Sequence, residues 1–131
     1  MRSRKPTEPL KLSGLPKTWF IDLDGTVLVH NPGLAEPDRL LPGVKEFWAK
    51  AIRLEDRVIL VTARDPQFET ATRVFLAMQE LRFDQLIMGL PTGERIVIND
   101  KKPSGLHTAI AINVLRNGGL DGVEIKVDPG L

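Results

Sequence analysis

The chain has 131 residues, 42% hydrophobic and 27% charged, with a formal net charge of +1; this suits one globular domain around a single core. Cysteine is absent and histidine occurs twice, which excludes disulfides, thiolate catalysis and cysteine-built zinc sites. The near-neutral charge gives no general attraction to nucleic acid or to an anionic membrane, no apolar run approaches the roughly 20 residues of a membrane span, and the polar start lacks a signal-peptide core, so the cytoplasm is the expected compartment.

Residues 1–16 read as a flexible basic tail, with Arg2, Arg4 and Lys5 among Pro6, Pro9 and Pro16 and no sustained periodicity. Residues 17–131 then read as one catalytic domain. Trp19–Leu23 is a short apolar strand, followed by a loop over Val27–Leu41 that carries His30, Asn31 and Arg39. Pro42-Gly43 opens a helix over Val44–Leu54, with Val44, Phe47, Trp48, Ala51 and Ile52 at helical spacing. Arg57–Val61, RVILV, is a second strand. The spacing predicts a helix over Pro66–Leu81, with Phe68, Ala71, Phe75 and Met78 on its apolar side. Strands are expected at Gln85–Met88 and Arg95–Ile98, a helix at Gly105–Leu115 and a last strand at Val123–Val127. Apolar strands separated by helices predict an α/β fold: a doubly wound, Rossmann-like parallel sheet with helices on both faces.

In such sheets ligands bind beyond the carboxyl ends of the strands. Strand one is followed there by Asp22, Leu23, Asp24, Gly25 and Thr26; strand two by Thr62, Ala63, Arg64 and Asp65; and strand four by Asn99, Asp100, Lys101 and Lys102. Asp22 and Asp24 are two apart, which in an extended chain puts both carboxylates on one face. Like charges that close favour a cation beside them. With Asp100 as a third oxygen source, the set suits Mg²⁺, which binds oxygen and shares its shell with phosphate. Gly25 permits a sharp turn that exposes its backbone N–H to an anion. A hydroxyl at Thr62 and a lysine complete the parts of a phosphoryl-transfer site. Any one of these features alone is an ordinary turn, since Asx and Thr residues commonly cap or turn the chain after strands; their common position at successive strand ends is what favours chemistry.

The motifs DLDGT, VTAR and VINDKKP, with LLPGVKEFW opening the first helix, resemble the haloacid dehalogenase superfamily of aspartyl-phosphate hydrolases from Trp19 to about Leu115. The resemblance implies Asp22 as nucleophile, Asp24 as general acid and then base, and Thr62 as a ligand of the phosphoryl oxygens. It implies Mg²⁺ held by Asp22, Asp100 and the backbone carbonyl of Asp24, with Gly25, Thr26, Ala63, Arg64 and Lys101 around the phosphate. The chain departs from the pattern twice. No lysine lies in Pro66–Ile98, only Arg73, Arg82 and Arg95, so Lys102 is the expected balancing cation. Ser104 stands where many relatives carry a second acid, and Asn99 where the deoxyribonucleotidase-like version carries its first. Neither interval between the motifs has room for a cap domain, which resembles the capless subgroup.

The expected activity is Mg²⁺-dependent hydrolysis of a phosphate monoester, the substrate being a small phosphorylated metabolite, a sugar phosphate or a nucleotide. The resemblance to small proteins of sugar-nucleotide pathways leans toward the sugar. One alternative is a phosphatase of nucleic-acid ends, against which the lack of a basic face argues. The other is a non-catalytic module of the same fold that binds or regulates. An uncapped site also predicts a homo-oligomer in which a neighbour covers it.

Overall fold

A computed structural model describes residues 8–131. Two parallel sheets organise them. In the larger, β2 (Thr18–Asp22), β3 (Arg57–Val61) and β4 (Gln85–Ile87) lie in the order β2-β3-β4. Helix α1 (Val44–Lys50) lies between β2 and β3 in the chain, and α2 (Glu69–Met78) between β3 and β4. The smaller sheet pairs β1 (Leu10–Leu12) with β5 (Ile125–Val127), also in parallel. The architecture is α/β with parallel strands. Helix α2 is entered through a 3₁₀ turn at Pro66–Phe68, whose cap Asp65 accepts the N–H of Gln67 at 2.9 Å.

The pleat explains which residues are buried. Along β2, Trp19 and Ile21 point to one face and Phe20 to the other, and Val58 and Leu60 of β3 continue the inner face. Ile21, Val58 and Leu60 join Val44 and Phe47 of α1 and Leu76 of α2 in one core cluster. Trp19 meets Phe47 edge to face at 5.5 Å between ring centroids. Asp56, 2% exposed, pins the entry to β2: it accepts the Lys17 N–H at 2.9 Å, the Trp19 indole N–H at 2.9 Å and the Arg53 N–H at 3.0 Å.

Five expectations are corrected. The expected tail ends sooner, because Leu10–Leu12 pairs with Ile125–Val127; residues 1–7 of that tail lie outside the described residues. No strand forms at Arg95–Ile98, where Ile96, Val97 and Ile98 are 80%, 59% and 93% exposed. A β-branched run has strand character, but the ladder needs a partner edge, which periodicity cannot supply. No helix forms over Gly105–Leu115 either; the local bonds are a turn, from the Gly105 N–H to the Lys102 carbonyl at 2.8 Å and from the Lys102 N–H to the Leu106 carbonyl at 3.0 Å. A helix of that length is marginal without a packed face, and here Ile110, Ile112 and Leu115 stay exposed. Consequently the helices cover one face of the larger sheet, and Phe20 and Ile87 are exposed on the other. Finally, α2 buries Thr72 and Leu76, one position round from the expected stripe, and leaves Met78 exposed. Among the described residues, no helix is long and apolar enough to cross a membrane.

Candidate functional site

Register fixes the site. Asp22 is level with Val61, and Val61 with Ile87, so the residues after β2 and β3 emerge at one edge. Past β2 the chain winds tightly: the N–H groups of Thr26, Val27 and Leu28 all reach the Leu23 carbonyl, at 3.1, 2.9 and 2.9 Å. Gly25 sits at φ +84° with its N–H donated to the Leu28 carbonyl at 2.7 Å. That corrects one expectation, because an N–H used inside the turn is not offered to an anion. Asn117 braces the same turn from far along the chain. Its N–H donates to the Gly25 carbonyl, and its side-chain oxygen accepts the His30 N–H, both at 2.8 Å.

The two carboxylates have different surroundings. Asp22 Oδ2 accepts the Thr26 hydroxyl at 2.9 Å, and Oδ1 pairs with Arg95 Nη1 at 2.8 Å, in a half-exposed ion pair. Asp24 faces inward. Its Oδ2 accepts the hydroxyl of fully buried Thr62 at 3.0 Å, and both its oxygens accept Arg64 Nε–H at 3.1 Å. Arg64 Nη2 reaches Asp24 Oδ1 at 2.9 Å and Asp38 Oδ1 at 2.7 Å. Its Nη1 reaches Asp38 Oδ2 at 3.0 Å and Thr72 Oγ1 at 2.9 Å. All five N–H donors of the guanidinium are thereby engaged. The side chains of Arg64, Asp38 and Asp24 are 3%, 6% and 21% exposed. Burial by itself would lower the Arg64 pKa, but the Asp38 and Asp24 acceptors outweigh it and raise it further, so Arg64 is permanently charged.

Arg64 is therefore not a free phosphate ligand. It ties the end of β3 to the turn after β2 and, through Asp38, to the Val27–Leu41 loop. That loop is closed at its base by the N–H groups of Val29 and Leu41, which donate to the Arg39 and Val27 carbonyls at 2.9 Å each. Within the loop, Asn31 Nδ2 donates to the Glu36 carbonyl at 2.6 Å, and Asn31 Oδ1 accepts the Glu36 N–H at 3.1 Å. Ala63, exposed, contributes only backbone.

Comparison with family models, curated proteins and solved structures gives no match.

The third strand end is not assembled. Asp100, Lys101 and Lys102 lie in residues 91–105, exposed throughout. The cation beside Asp22 is Arg95, in place of the expected Lys102, because Arg95 stands at the start of this segment where it meets the end of β2. Among the described residues, no three His, Asp or Glu side chains are grouped to hold a metal. Asp22 and Asp24 offer oxygens, but Asp100 does not join them, so the donor set for Mg²⁺ is incomplete in this arrangement. Asp38, Thr72 and Asn117 were not legible as site residues. Thr72 lies one position round from the expected apolar side of α2, and Asp38 and Asn117 are loop residues whose partners are 26 and 87 positions away.

Proposed function

We propose that the protein is a phosphate monoester hydrolase of the haloacid dehalogenase type, capless, working through a phosphoryl group on Asp22. One observation carries the reading: the β2–β3 register brings Asp22, Asp24 and Thr62 to one sheet edge, with Arg95 already on Asp22. Asp22 Oδ attacks phosphorus as the bond to the leaving oxygen breaks, and the Asp24 carboxyl, as general acid, passes a proton to that oxygen. Asp24 then takes a proton from the water whose oxygen attacks the aspartyl-phosphate, which frees Asp22 and inorganic phosphate. Thr62 and Arg64 hold the Asp24 carboxyl in place, and Arg95 balances charge at Asp22. With Asp100 brought to Asp22, these two side chains and the Asp24 carbonyl would hold Mg²⁺, which would neutralise phosphoryl charge.

The finer fold belongs to the same proposal. β2 is an edge strand among the described residues, the exposed Ile96–Ile98 run has strand character, and Arg95 is already tied to the end of β2. Addition of Arg95–Ile98 to that edge, with a helix over Gly105–Leu115 laid on the exposed face of Phe20 and Ile87, would make the sheet doubly wound and carry Asp100 toward Asp22. The same exposed apolar run favours a homo-oligomer whose neighbour covers the site. The cytoplasm fits a chain without cysteine.

One observation favours a second reading, a binding module of this fold: Asp100, Lys101 and Lys102 stand apart from Asp22. The test is chemical. After brief reaction with an aryl phosphate and acid quench, mass spectrometry is expected to find one phosphoryl group on the Asp22 peptide, absent in Asp22→Asn. A label elsewhere, or turnover retained in Asp22→Asn, refutes Asp22 as the nucleophile, and neither label nor turnover in the wild type refutes the enzyme in favour of the binding module.

A further inference from the structure

The turn after β2 carries a third arginine, one that the ion pairs of the site leave free. Gly25 stands at φ +84°, and a Cβ there would lie 3.2 Å from Arg116 Cγ and 3.9 Å from both Cβ and Nε of Arg116. The Arg116 side chain therefore lies along the bare face of Gly25, in space that a larger residue would fill. Its backbone is pinned in that position. Asn117, at φ +62°, donates its N–H to the Gly25 carbonyl and accepts the His30 N–H. Gly119 then packs directly on the Pro42 carbonyl, which accepts the N–H of buried Leu120 at 2.9 Å.

We propose that Arg116 binds a phosphate group of the substrate. The inference rests on the phosphatase reading for the identity of the ligand. The three arginines at this edge differ in what their charge is used for. Arg64 has every N–H engaged by Asp24, Asp38 and Thr72, and Arg95 pairs with Asp22 at 2.8 Å. Arg116 is exposed and, among the described residues, pairs with no carboxylate and donates no side-chain hydrogen bond. Its guanidinium keeps its donors for an incoming anion, and the planar fork can take two phosphate oxygens at once. A stem already laid on Gly25 and a clamped backbone leave little to be ordered when that anion arrives. The same geometry accounts for Gly25: its N–H serves the turn, and its missing side chain clears the seat for a guanidinium that meets the anion instead.

Fructose 1-phosphate and fructose 1,6-bisphosphate test this, since they share a sugar and differ by one phosphate. Binding is measured by calorimetry on the full-length Asp22→Asn protein, with and without Arg116→Met, which keeps an apolar stem on Gly25 and removes the charge. The added substitution is expected to weaken binding about tenfold or more, on the scale of a lost charge-assisted hydrogen bond, and Arg116→Lys in its place to recover part of the loss. A loss for both esters puts the guanidinium on the reacting phosphate; a loss for the bisphosphate alone puts it on the second. A purely structural stem survives in Arg116→Met, so unchanged affinity for both esters overturns the proposal, as does binding of neither ester by the Asp22→Asn protein. Loss of affinity in Arg116→Met together with no turnover of any monoester by the wild type, p-nitrophenyl phosphate included, supports the anion site and refutes the phosphatase reading instead.

Discussion

Arg64→Ala removes the cation that lies between Asp24 and Asp38. Five N–H donors disappear, and two carboxylates stay behind. Asp38, with 6% of its side chain exposed, keeps almost no access to water, whereas Asp24 at 21% keeps some. Deleting one partner of a buried ion pair typically costs about 3–5 kcal/mol, because the remaining charge is left uncompensated. The partial exposure of Asp24 puts the expected loss near the lower end, about 3–4 kcal/mol. Against a typical total of about 5–15 kcal/mol, that is a large share, and at this chain length it lowers Tm by roughly 10–15 °C. Urea unfolding at neutral pH, followed by tryptophan fluorescence and far-UV circular dichroism, measures it as a shift in midpoint at constant slope. Asp38→Asn is expected to cost less, about 1–2 kcal/mol, since Arg64 keeps Asp24. In the double variant the costs should fall short of their sum by about 1–2 kcal/mol, because the amide introduced by Asp38→Asn has no charge to strand. Additivity within about 0.5 kcal/mol, or an Arg64→Ala cost under about 1 kcal/mol, refutes the argument that this network is coupled and buried.

Three further expectations are simpler to state. If Arg95 balances the charge at Asp22, Arg95→Ala lowers kcat/KM by about 10²-fold, on the scale of a lost electrostatic stabiliser, and Lys102→Ala by much less; the reverse order would return the role to Lys102. If hydrolysis needs Mg²⁺, excess chelator abolishes turnover while circular dichroism stays unchanged, and full activity under chelation removes the metal from the mechanism. Asp56→Ala leaves the half-buried Lys17, Trp19 and Arg53 N–H groups without their acceptor, at about 1 kcal/mol each, so denaturation should show a loss of about 3 kcal/mol. Burial alone would raise the Asp56 pKa, but the bonds from Trp19, Arg53 and Lys17 outweigh it and hold it below its ordinary 3.8. Its contribution is therefore complete above that value and fades as pH falls through the folded-state pKa, so acid unfolding of Asp56→Asn should lose part of its pH dependence.

The local elements near the site were legible in the sequence because their cause is local. Arg57–Val61 is the strand its β-branched run predicts, and Pro42-Gly43 opens α1 with the expected inward face. The parallel pairing of β2 and β3 followed from strands separated by a helix, and it alone places Asp22, Asp24 and Thr62 together. What the sequence left open depends on partners. Burial of Arg64 between Asp24 and Asp38 joins residues 26 and 40 positions apart, and no periodicity encodes a meeting between a loop and a strand end. Arg95 reaches Asp22 across 73 positions. The Arg95–Ile98 and Gly105–Leu115 segments have the composition of a strand and a helix, yet neither element forms. Secondary structure of that length is marginal until an edge or a face receives it, and whether one does is decided only when the whole chain packs.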